Sequence, residues 1–206
     1  MIREEITIND ARLLIWELTE SIEELLEQLE LTELAAFEYK KIKSTKRKLE
    51  YLGVRIAINK LLNENISIIY DADGKPSVEA GNWQISISHS NKWIAVMAHP
   101  TRPVGIDIEC PSDKIRNLYT RFLNKTEQVE LSDGTDIRKF QLAWSAKEAL
   151  YKIIGKQAVD FAQQLHIFPF ELMNKGRLTA QHIPTKKLYQ LSYIQSSAFT
   201  LVYCLA

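Results

Sequence analysis

Two acidic side chains lie close together in a short segment that has the pattern of a strand. Asp107 and Glu109 are two residues apart in Val104–Glu109, whose alternate positions are apolar. The apolar side chains should share a buried face, while Gly105, Asp107 and Glu109 share the other. With roughly 7 Å between neighbours on that face, the two carboxylates either bridge a hard divalent cation or are ordinary acids on an exposed strand. The glycine favours a site, because it weakens a strand unless something must approach the backbone closely.

A helix predicted from Phe140 to Ile154 supplies three more candidates. At 100° per residue its apolar side chains form one arc, with Glu148 and Lys152 at the edge of the arc and Lys147 inside it. The i, i+4 pair of Glu148 and Lys152 could be a surface salt bridge, which would contribute a few tenths of a kcal/mol. Lys147 would then lay its aliphatic stem along the apolar surface and extend its ammonium group to water. The same carboxylate and two amines would also suit a site for an anionic, metal-bound substrate.

Basic side chains are concentrated between Lys40 and Lys48, ahead of an apolar periodic segment. This run is either a solvated helix start or an anion site. His89 lies in Ser88-His89-Ser90, between two strand-like segments, where a lone histidine is usually polar surface. The four histidines lack the HxH and HExxH spacings of zinc sites, and no glycine-rich phosphate loop occurs. Any nucleotide would therefore be bound by individual basic side chains.

The elements that must position these residues change character along the chain. The first third is predicted to be helical, with one acidic amphipathic stretch beginning near Asn9 or Asp10 and a second near Thr32. Strand-like segments follow in the middle of the chain. Polar residues 132–134 then precede the helix that begins near Phe140.

A hairpin predicted over Trp83–Ala98 has a counterpart at the end of the chain. Aligning Tyr189 with Trp83, an offset of 106 (189 − 83), matches the two segments without a gap, with Ser86 opposite Ser192. Both hairpins follow helix-rich segments. We therefore predict an α+β protein of two pseudo-symmetric α/β halves, residues 1–103 and 104–206, each with a small antiparallel sheet packed on helices.

Composition excludes several classes of protein. The 206 residues carry 26 Lys plus Arg and 26 Asp plus Glu, so the chain lacks the basic excess of a non-specific nucleic-acid binder. A hydrophobic fraction of 46% argues against disorder. Two cysteines do not make a disulfide framework, the first residues lack the apolar region of a signal peptide, and no apolar run is long enough to span a membrane. We expect a folded cytoplasmic protein that binds neither nucleic acid nor membrane.

Four motifs, taken in order, resemble those of a known family. They are Gly74-Lys75-Pro76, Ser88-His89-Ser90, Val104–Glu109, and Trp144-Ser145-Ala146-Lys147-Glu148 followed by Lys152. This set resembles the 4'-phosphopantetheinyl transferases, specifically the two-repeat Sfp type. The resemblance implies a pseudo-symmetric monomer with holo-acyl-carrier-protein synthase activity. Such an enzyme transfers 4'-phosphopantetheine from coenzyme A to a serine of an apo acyl or peptidyl carrier protein and releases adenosine 3',5'-bisphosphate.

The resemblance also implies roles for the residues of the C-terminal half, as its metal and catalytic side. Asp107, Glu109 and Glu148 would hold Mg2+ through oxygen ligands. The catalytic residues would be Glu148, Lys152 and Asp107, with Lys152 offsetting the charge that grows on the leaving phosphate. The serine proton would go to a carboxylate, with Glu148 favoured, or to a metal-bound water.

The N-terminal half would bind the 3'-phosphate and adenine of coenzyme A. Glu127 lies in a segment similar to the family's FFxxxE pattern, with Leu123 in place of the second aromatic residue, which leaves the role of Glu127 open. The basic run from Lys40 to Lys48 in the N-terminal half could bind an acidic carrier protein instead of the cofactor. The residues implied to bind the cofactor are Arg47, Lys75, Ser88, His89, Lys147 and Lys152.

Two other readings of the same residues remain open. A Mg2+-dependent hydrolase of nucleotide pyrophosphates could use the same carboxylates, but it would need a positioned water and no protein acceptor. A non-catalytic module that binds coenzyme A or a carrier protein is the other hypothesis. The sequence does not identify the physiological carrier protein among fatty-acid, polyketide and nonribosomal-peptide carriers.

Overall fold

The computed structural model describes residues 2–79, 81–131, 136–155 and 159–206. The polar residues 132–134 noted above lie outside this part. The chain divides into two compact units, Met1–Arg102 and Pro103–Ala206. Each unit combines helices with a small antiparallel sheet, which confirms the predicted α+β class. Among the described residues, no helix is both long enough and apolar enough to cross a membrane.

The first unit is built on an antiparallel sheet of four strands in the order β1-β2-β6-β5. The longest helix of the unit, α3, packs on β2 and β6, and a short two-stranded sheet of β3 and β4 follows it. The elements are β1 (Ile2–Ile8), β2 (Ala11–Glu17), α1 (Ile22–Glu27), α2 (Glu33–Lys41), α3 (Thr45–Leu62), β3 (Ile68–Tyr70), β4 (Pro76–Val78), β5 (Gln84–Ser90) and β6 (Trp93–His99).

The predicted helix from Asn9 or Asp10 is wrong, because these two residues form the turn of the β1–β2 hairpin. Both have positive φ, 45° and 65°, a conformation that asparagine and aspartate tolerate better than most residues. The first helix begins only at Ile22, where Ser21 and Glu24 form a capping box. The predicted start near Thr32 is confirmed, since the Thr32 side chain accepts a hydrogen bond at the N-terminus of α2.

The second unit is built on a sheet of five strands in the order β7-β11-β10-β9-β8, with all neighbours antiparallel. Its longest helix, α6, packs on β7 and β11. The elements are β7 (Val104–Glu109), a 3-10 turn (Asp113–Asn117), α4 (Tyr119–Phe122), α5 (Lys125–Glu130), α6 (Ile137–Ile154), α7 (Phe161–Gln164), β8 (Leu165–Ile167), β9 (Lys175–His182), a second 3-10 turn (Ile183–Thr185), β10 (Lys187–Gln195) and β11 (Thr200–Leu205).

The two hairpins have the same strand register at the offset predicted from the sequence. Ser86 pairs with Met97 in the first hairpin, and Ser192 pairs with Tyr203 in the second, so each residue of one pair is 106 positions from its counterpart. The correspondence extends one strand further, because β2 lies antiparallel to β6 as β7 lies antiparallel to β11. The internal repeat is thus visible in the backbone pairing as well as in the sequence.

This register shows which residues of the first unit correspond to the two acids of β7. Val96 faces Leu14 across the first sheet, whereas its counterpart Val202 faces Asp107 in the second. By the same register, Trp16 is the counterpart of Glu109. Leu14 and Trp16 are buried in the apolar core of the first unit. The same strand position therefore packs a core in one unit and carries carboxylates in the other.

Candidate active site

Strand β7 holds its acidic residues against α6, inside the second unit. Asp107 is only 4% exposed, and Glu109 at the end of the strand is partly buried. Ile106 and Ile108 on the opposite face are also buried. The prediction that only the apolar face of β7 is buried is therefore wrong. The helix covers the carboxylate face, so these acids lie in a protected environment where charges interact more strongly than in water.

Gly105 allows α6 to approach the backbone of β7. A Cβ atom added at Gly105 would lie against the carbonyl oxygen of Ala149, inside contact distance, and 2.8 Å from a side-chain carbon of Ile153. The close approach expected from a glycine in this strand is therefore made by the helix that carries Glu148 and Lys152.

We predict that Gly105→Ala lowers the free energy of unfolding by about 1–3 kcal/mol, because a backbone carbonyl cannot move aside as a flexible side chain can. Chemical denaturation would measure the change. Gly53→Ala in α3 is the matched control, since its Cβ would meet the end of the Ile94 side chain at 2.5 Å and alanine favours a helix interior. An equal loss in both variants would contradict the role of Gly105.

Lys152 joins the helix to the acidic strand. Its Nζ donates to Asp107 Oδ1 at 3.0 Å and to the Ile106 carbonyl oxygen at 2.8 Å. The lysine of the predicted Glu148–Lys152 pair is thus directed at the strand. Its ammonium partly neutralises the buried Asp107 carboxylate.

Glu148 lies in the field of both strand acids. Burial, followed by the negative charge of Asp107, raises the pKa of Glu148 to about 7, with Lys152 opposing the shift and Glu109 adding to it. The Glu148 carboxylate makes no hydrogen bond within the part of the chain that the structure describes. The structure therefore brings Asp107, Glu109, Glu148 and Lys152, the set that the family resemblance implies, into one electrostatically coupled group.

Lys147 points away from this group and is not placed to bind a cofactor. Its side chain is 0% exposed, and its Nζ donates to Glu127 Oε2 at 2.7 Å. Backbone carbonyl oxygens of Phe122, Phe161 and Leu165 complete its surroundings at 2.8–2.9 Å. Burial lowers the pKa of the ammonium, and the Glu127 charge opposes that shift. The predicted cofactor contact of Lys147 is therefore corrected to an internal ion pair.

Glu127, whose role the sequence left open, is the centre of that internal network. It is 0% exposed, and its carboxylate also accepts from the backbone N–H groups of Asn124 at 2.8 Å and Ile167 at 2.7 Å. Asn124 and Glu127 form the capping box of α5. The spacing of an asparagine three residues before a glutamate could have revealed the cap, although not the buried lysine.

The described residues contain no group of three or more His, Cys, Asp or Glu side chains arranged to hold a metal ion. The chemistry of Asp107, Glu109 and Glu148 nevertheless fits a hard cation, because all three offer carboxylate oxygens. Burial is the main cause of the raised pKa of Glu148, and the charges of Asp107 and Glu109 add to it. A divalent cation bound among the three carboxylates would relieve that repulsion. Cation binding would require Lys152 to share Asp107 or to withdraw from it.

The residues expected to bind the cofactor from the first unit lie in three different segments of that unit. Arg47 is exposed in the first turn of α3, and Lys75 is exposed after a turn that Gly74 closes with a φ of 79°. Ser88 is buried on β5, whereas the neighbouring His89 side chain is 41% exposed and its Nδ1 lies 3.5 Å from Glu50 Oε1 on α3. Their cofactor contacts remain predictions.

A cavity of about 300 Å3 lies beyond the end of β7, within the second unit. Its walls come from the segment after Glu109, from the first turns of α6, and from the β10–β11 turn. The lining includes Ser112, Asp113, Arg138, Gln141, Ser196 and Thr200. The cavity is close to β7. Gln141, one of its lining residues, also donates hydrogen bonds to the carbonyl oxygens of Glu109 and Cys110 at the end of that strand.

A strand carboxylate pair, a helix carboxylate and a lysine thus form one charged group in the second unit. The family model of the 4'-phosphopantetheinyl transferase superfamily matches residues 103–204, which contain this whole group. The chain therefore belongs to the 4'-phosphopantetheinyl transferase superfamily, as its motifs predicted.

Curated relatives agree with this assignment. Over 119 residues the chain is 30% identical to the 4'-phosphopantetheinyl transferase AcpT of Salmonella typhi, covering 54% of this chain and 62% of the relative. It is 31% identical to the 4'-phosphopantetheinyl transferase Sfp of Bacillus subtilis (strain 168), and 37% identical to a 4'-phosphopantetheinyl transferase of Bacillus subtilis. Each of these two matches covers 52% of this chain and 48% of the relative. The matched part of the chain thus spans about half to three fifths of these relatives.

Proposed function

We propose that this protein transfers 4'-phosphopantetheine from coenzyme A to a serine of an apo acyl or peptidyl carrier protein. The observation that carries the proposal is the coupled group of Asp107, Glu109, Glu148 and Lys152 at the positions that the family motifs predict. Membership of the superfamily and similarity to relatives named as 4'-phosphopantetheinyl transferases support the same reaction.

The proposed metal is Mg2+, held by Asp107, Glu109 and Glu148. When bound, it would neutralise the pyrophosphate of coenzyme A and polarise the phosphorus that is attacked. The repulsion among the three carboxylates supports a bound cation, and the oxygen-only donor set supports a hard cation over a softer one.

Lys152 and Glu148 have separate proposed roles in the chemistry. A bond forms between the serine oxygen and the phosphorus that carries pantetheine, and the bond from this phosphorus to the pyrophosphate bridging oxygen breaks. Adenosine 3',5'-bisphosphate leaves with the negative charge, which Lys152 is placed to offset through its ammonium. Glu148 takes the serine proton, since Asp107 is engaged by Lys152 and Glu109 by Trp144.

The first unit is proposed to hold the 3'-phosphate and adenine of coenzyme A through Arg47, Lys75, Ser88 and His89. Arginine suits a two-point phosphate contact, whereas Lys75 would act as a point charge. Lys147 no longer belongs to this set, because its ammonium is directed at Glu127. The separate core of each of the two units supports a pseudo-symmetric monomer, and a cytoplasmic location is part of the same proposal.

We predict that Arg47→Ala raises the Michaelis constant for coenzyme A by about 10-fold or more, with a smaller effect on turnover. The expected size is that of one lost charge-assisted hydrogen bond, about 1.5–3 kcal/mol. Steady-state transfer assays would separate the two constants. Lys43→Ala, in the same basic run before α3, is the control. An unchanged constant for coenzyme A together with weaker binding of the carrier would assign Arg47 to the carrier instead.

The release of adenosine 3',5'-bisphosphate distinguishes the candidate reactions. A transferase should release it from coenzyme A only when apo carrier protein and Mg2+ are both present, which chromatography of the nucleotides would detect. Release without a carrier would indicate a Mg2+-dependent pyrophosphate hydrolase. Binding of coenzyme A without release under either condition would indicate a non-catalytic module.

A further inference from the structure

Two side chains of α6 hold the residue at the end of the acidic strand. Gln141 is only 6% exposed, and its Nε2 donates to the Cys110 carbonyl oxygen at 2.8 Å and to that of Glu109 at 3.4 Å. The ladder between β7 and β11 ends at the pair of Glu109 with Thr200. Gln141 therefore fixes the backbone at the point where β7 leaves the sheet.

Trp144 holds the side chain of the same residue. Its Nε1 donates to Glu109 Oε1 at 3.4 Å. The indole ring packs edge-on against Phe122, with centroids 5.1 Å apart, and against Phe161 at 5.7 Å. Rotation of the ring would disrupt both aromatic contacts, so the direction of its N–H group is set by packing.

The positions along α6 make this arrangement rigid. Gln141, Trp144 and Glu148 are separated by three and four residues, so they share one side of the helix. A single helix thus carries Glu148 and also fixes Glu109, and the separation between the two carboxylates depends on one rigid element. Groups that bind a cation need such support from neighbouring residues to keep their geometry.

We propose that Gln141 and Trp144 are positioning residues that set the place of Glu109 among the three carboxylates. Gln141 holds its backbone, and Trp144 holds its carboxylate. Neither touches the reacting atoms. This inference rests on the proposed function in one respect, namely that the carboxylates bind a divalent cation.

The test measures binding of Mn2+ to the purified full-length protein, without coenzyme A or carrier, by the electron paramagnetic resonance signal of free Mn2+. Trp144→Phe and Gln141→Leu should each weaken binding about 10- to 100-fold, the usual effect of losing such a supporting contact. Gln128→Leu is the matched control, because Gln128 makes a similar bond to the Leu123 carbonyl oxygen, at 2.8 Å, away from β7. It should change the dissociation constant less than twofold.

A second measurement separates positioning from a general loss of structure. In a Glu109→Gln background, Trp144→Phe should weaken Mn2+ binding no further, because the group it holds has already lost its charge.

Two results would overturn the proposal. If Trp144→Phe and Gln141→Leu bind Mn2+ as the wild type does, the positioning role is refuted while the proposed transfer reaction stands. If the wild type binds no Mn2+ at millimolar concentration, both the positioning role and the metal part of the proposed function are refuted.

Discussion

Replacing Glu148 with glutamine should lower the rate of phosphopantetheine transfer by about 100- to 1,000-fold, the usual effect of removing one preorganised electrostatic group. The substitution keeps the size of the side chain but removes its negative charge. The proposed metal site loses one of three carboxylates, and the serine proton loses its acceptor. Initial rates of transfer to an apo carrier at saturating coenzyme A would measure the loss. Glu130→Gln, at an exposed position of α5, is the matched control.

The same variant should make the metal-free protein more stable at neutral pH. Burial and neighbouring acids raise the pKa of Glu148 from 4.5 to about 7. The folded state therefore holds a proton that the unfolded state releases. The stability contributed by protonated Glu148 is present below about pH 4.5 and is lost as pH rises through about 7. Glutamine does not titrate, so Glu148→Gln should gain on the order of 1–3 kcal/mol at pH 8 in EDTA.

Denaturation of the wild type and of Glu148→Gln at pH 4.5 and pH 8 would test this predicted pH dependence of stability. The advantage of the variant should shrink toward zero at the lower pH. Unchanged transfer in Glu148→Gln would refute the catalytic role of the carboxylate. No gain in stability at pH 8 would show that Glu148 is not held in an environment that disfavours its charge.

Replacing Lys147 with methionine should lower the free energy of unfolding by about 3–5 kcal/mol, because it leaves the Glu127 charge buried without its partner. The Glu127–Lys147 pair is fully enclosed, and its contacts join α5 and β8 to α6. Chemical denaturation would measure the change. Lys125→Met, at an exposed position of α5, should be nearly neutral.

The double variant Glu127→Gln/Lys147→Met should recover part of that loss, since neither buried position then carries a charge. Full recovery is not expected, because an amide has one acceptor oxygen where the carboxylate accepts from two backbone N–H groups. If Lys147→Met is as stable as the wild type and impairs coenzyme A binding, the original cofactor prediction for Lys147 would be correct instead.

The β1–β2 hairpin shows why part of the fold could not be predicted from the sequence. Six of the seven residues of β2 are buried, so the segment lacks the alternation of polar and apolar residues that usually marks a strand. The turn at Asn9 and Asp10 then resembled a helix cap, since both residue types serve either purpose. The first strands of the hairpins at Trp83 and Tyr189 alternate more clearly, and the predicted relation of the two hairpins is confirmed in the strand register.

The candidate site was predictable where local spacing determines the geometry and not where tertiary contacts do. The i, i+2 spacing placed Asp107 and Glu109 on one face, and the i, i+4 spacing placed Glu148 near Lys152. The direction of Lys147 depends on Glu127, twenty residues away in sequence, and on three backbone carbonyls. No local pattern encodes such a set of partners.

The most direct test of the proposed function is the intact mass of a purified apo acyl carrier protein after incubation with this protein, coenzyme A and Mg2+. We predict that the carrier gains the mass of one phosphopantetheine group, and that EDTA or a carrier with its acceptor serine replaced by alanine prevents the gain. No gain on that carrier or on a panel of peptidyl carriers, under conditions in which this protein is folded, would contradict the proposed transfer.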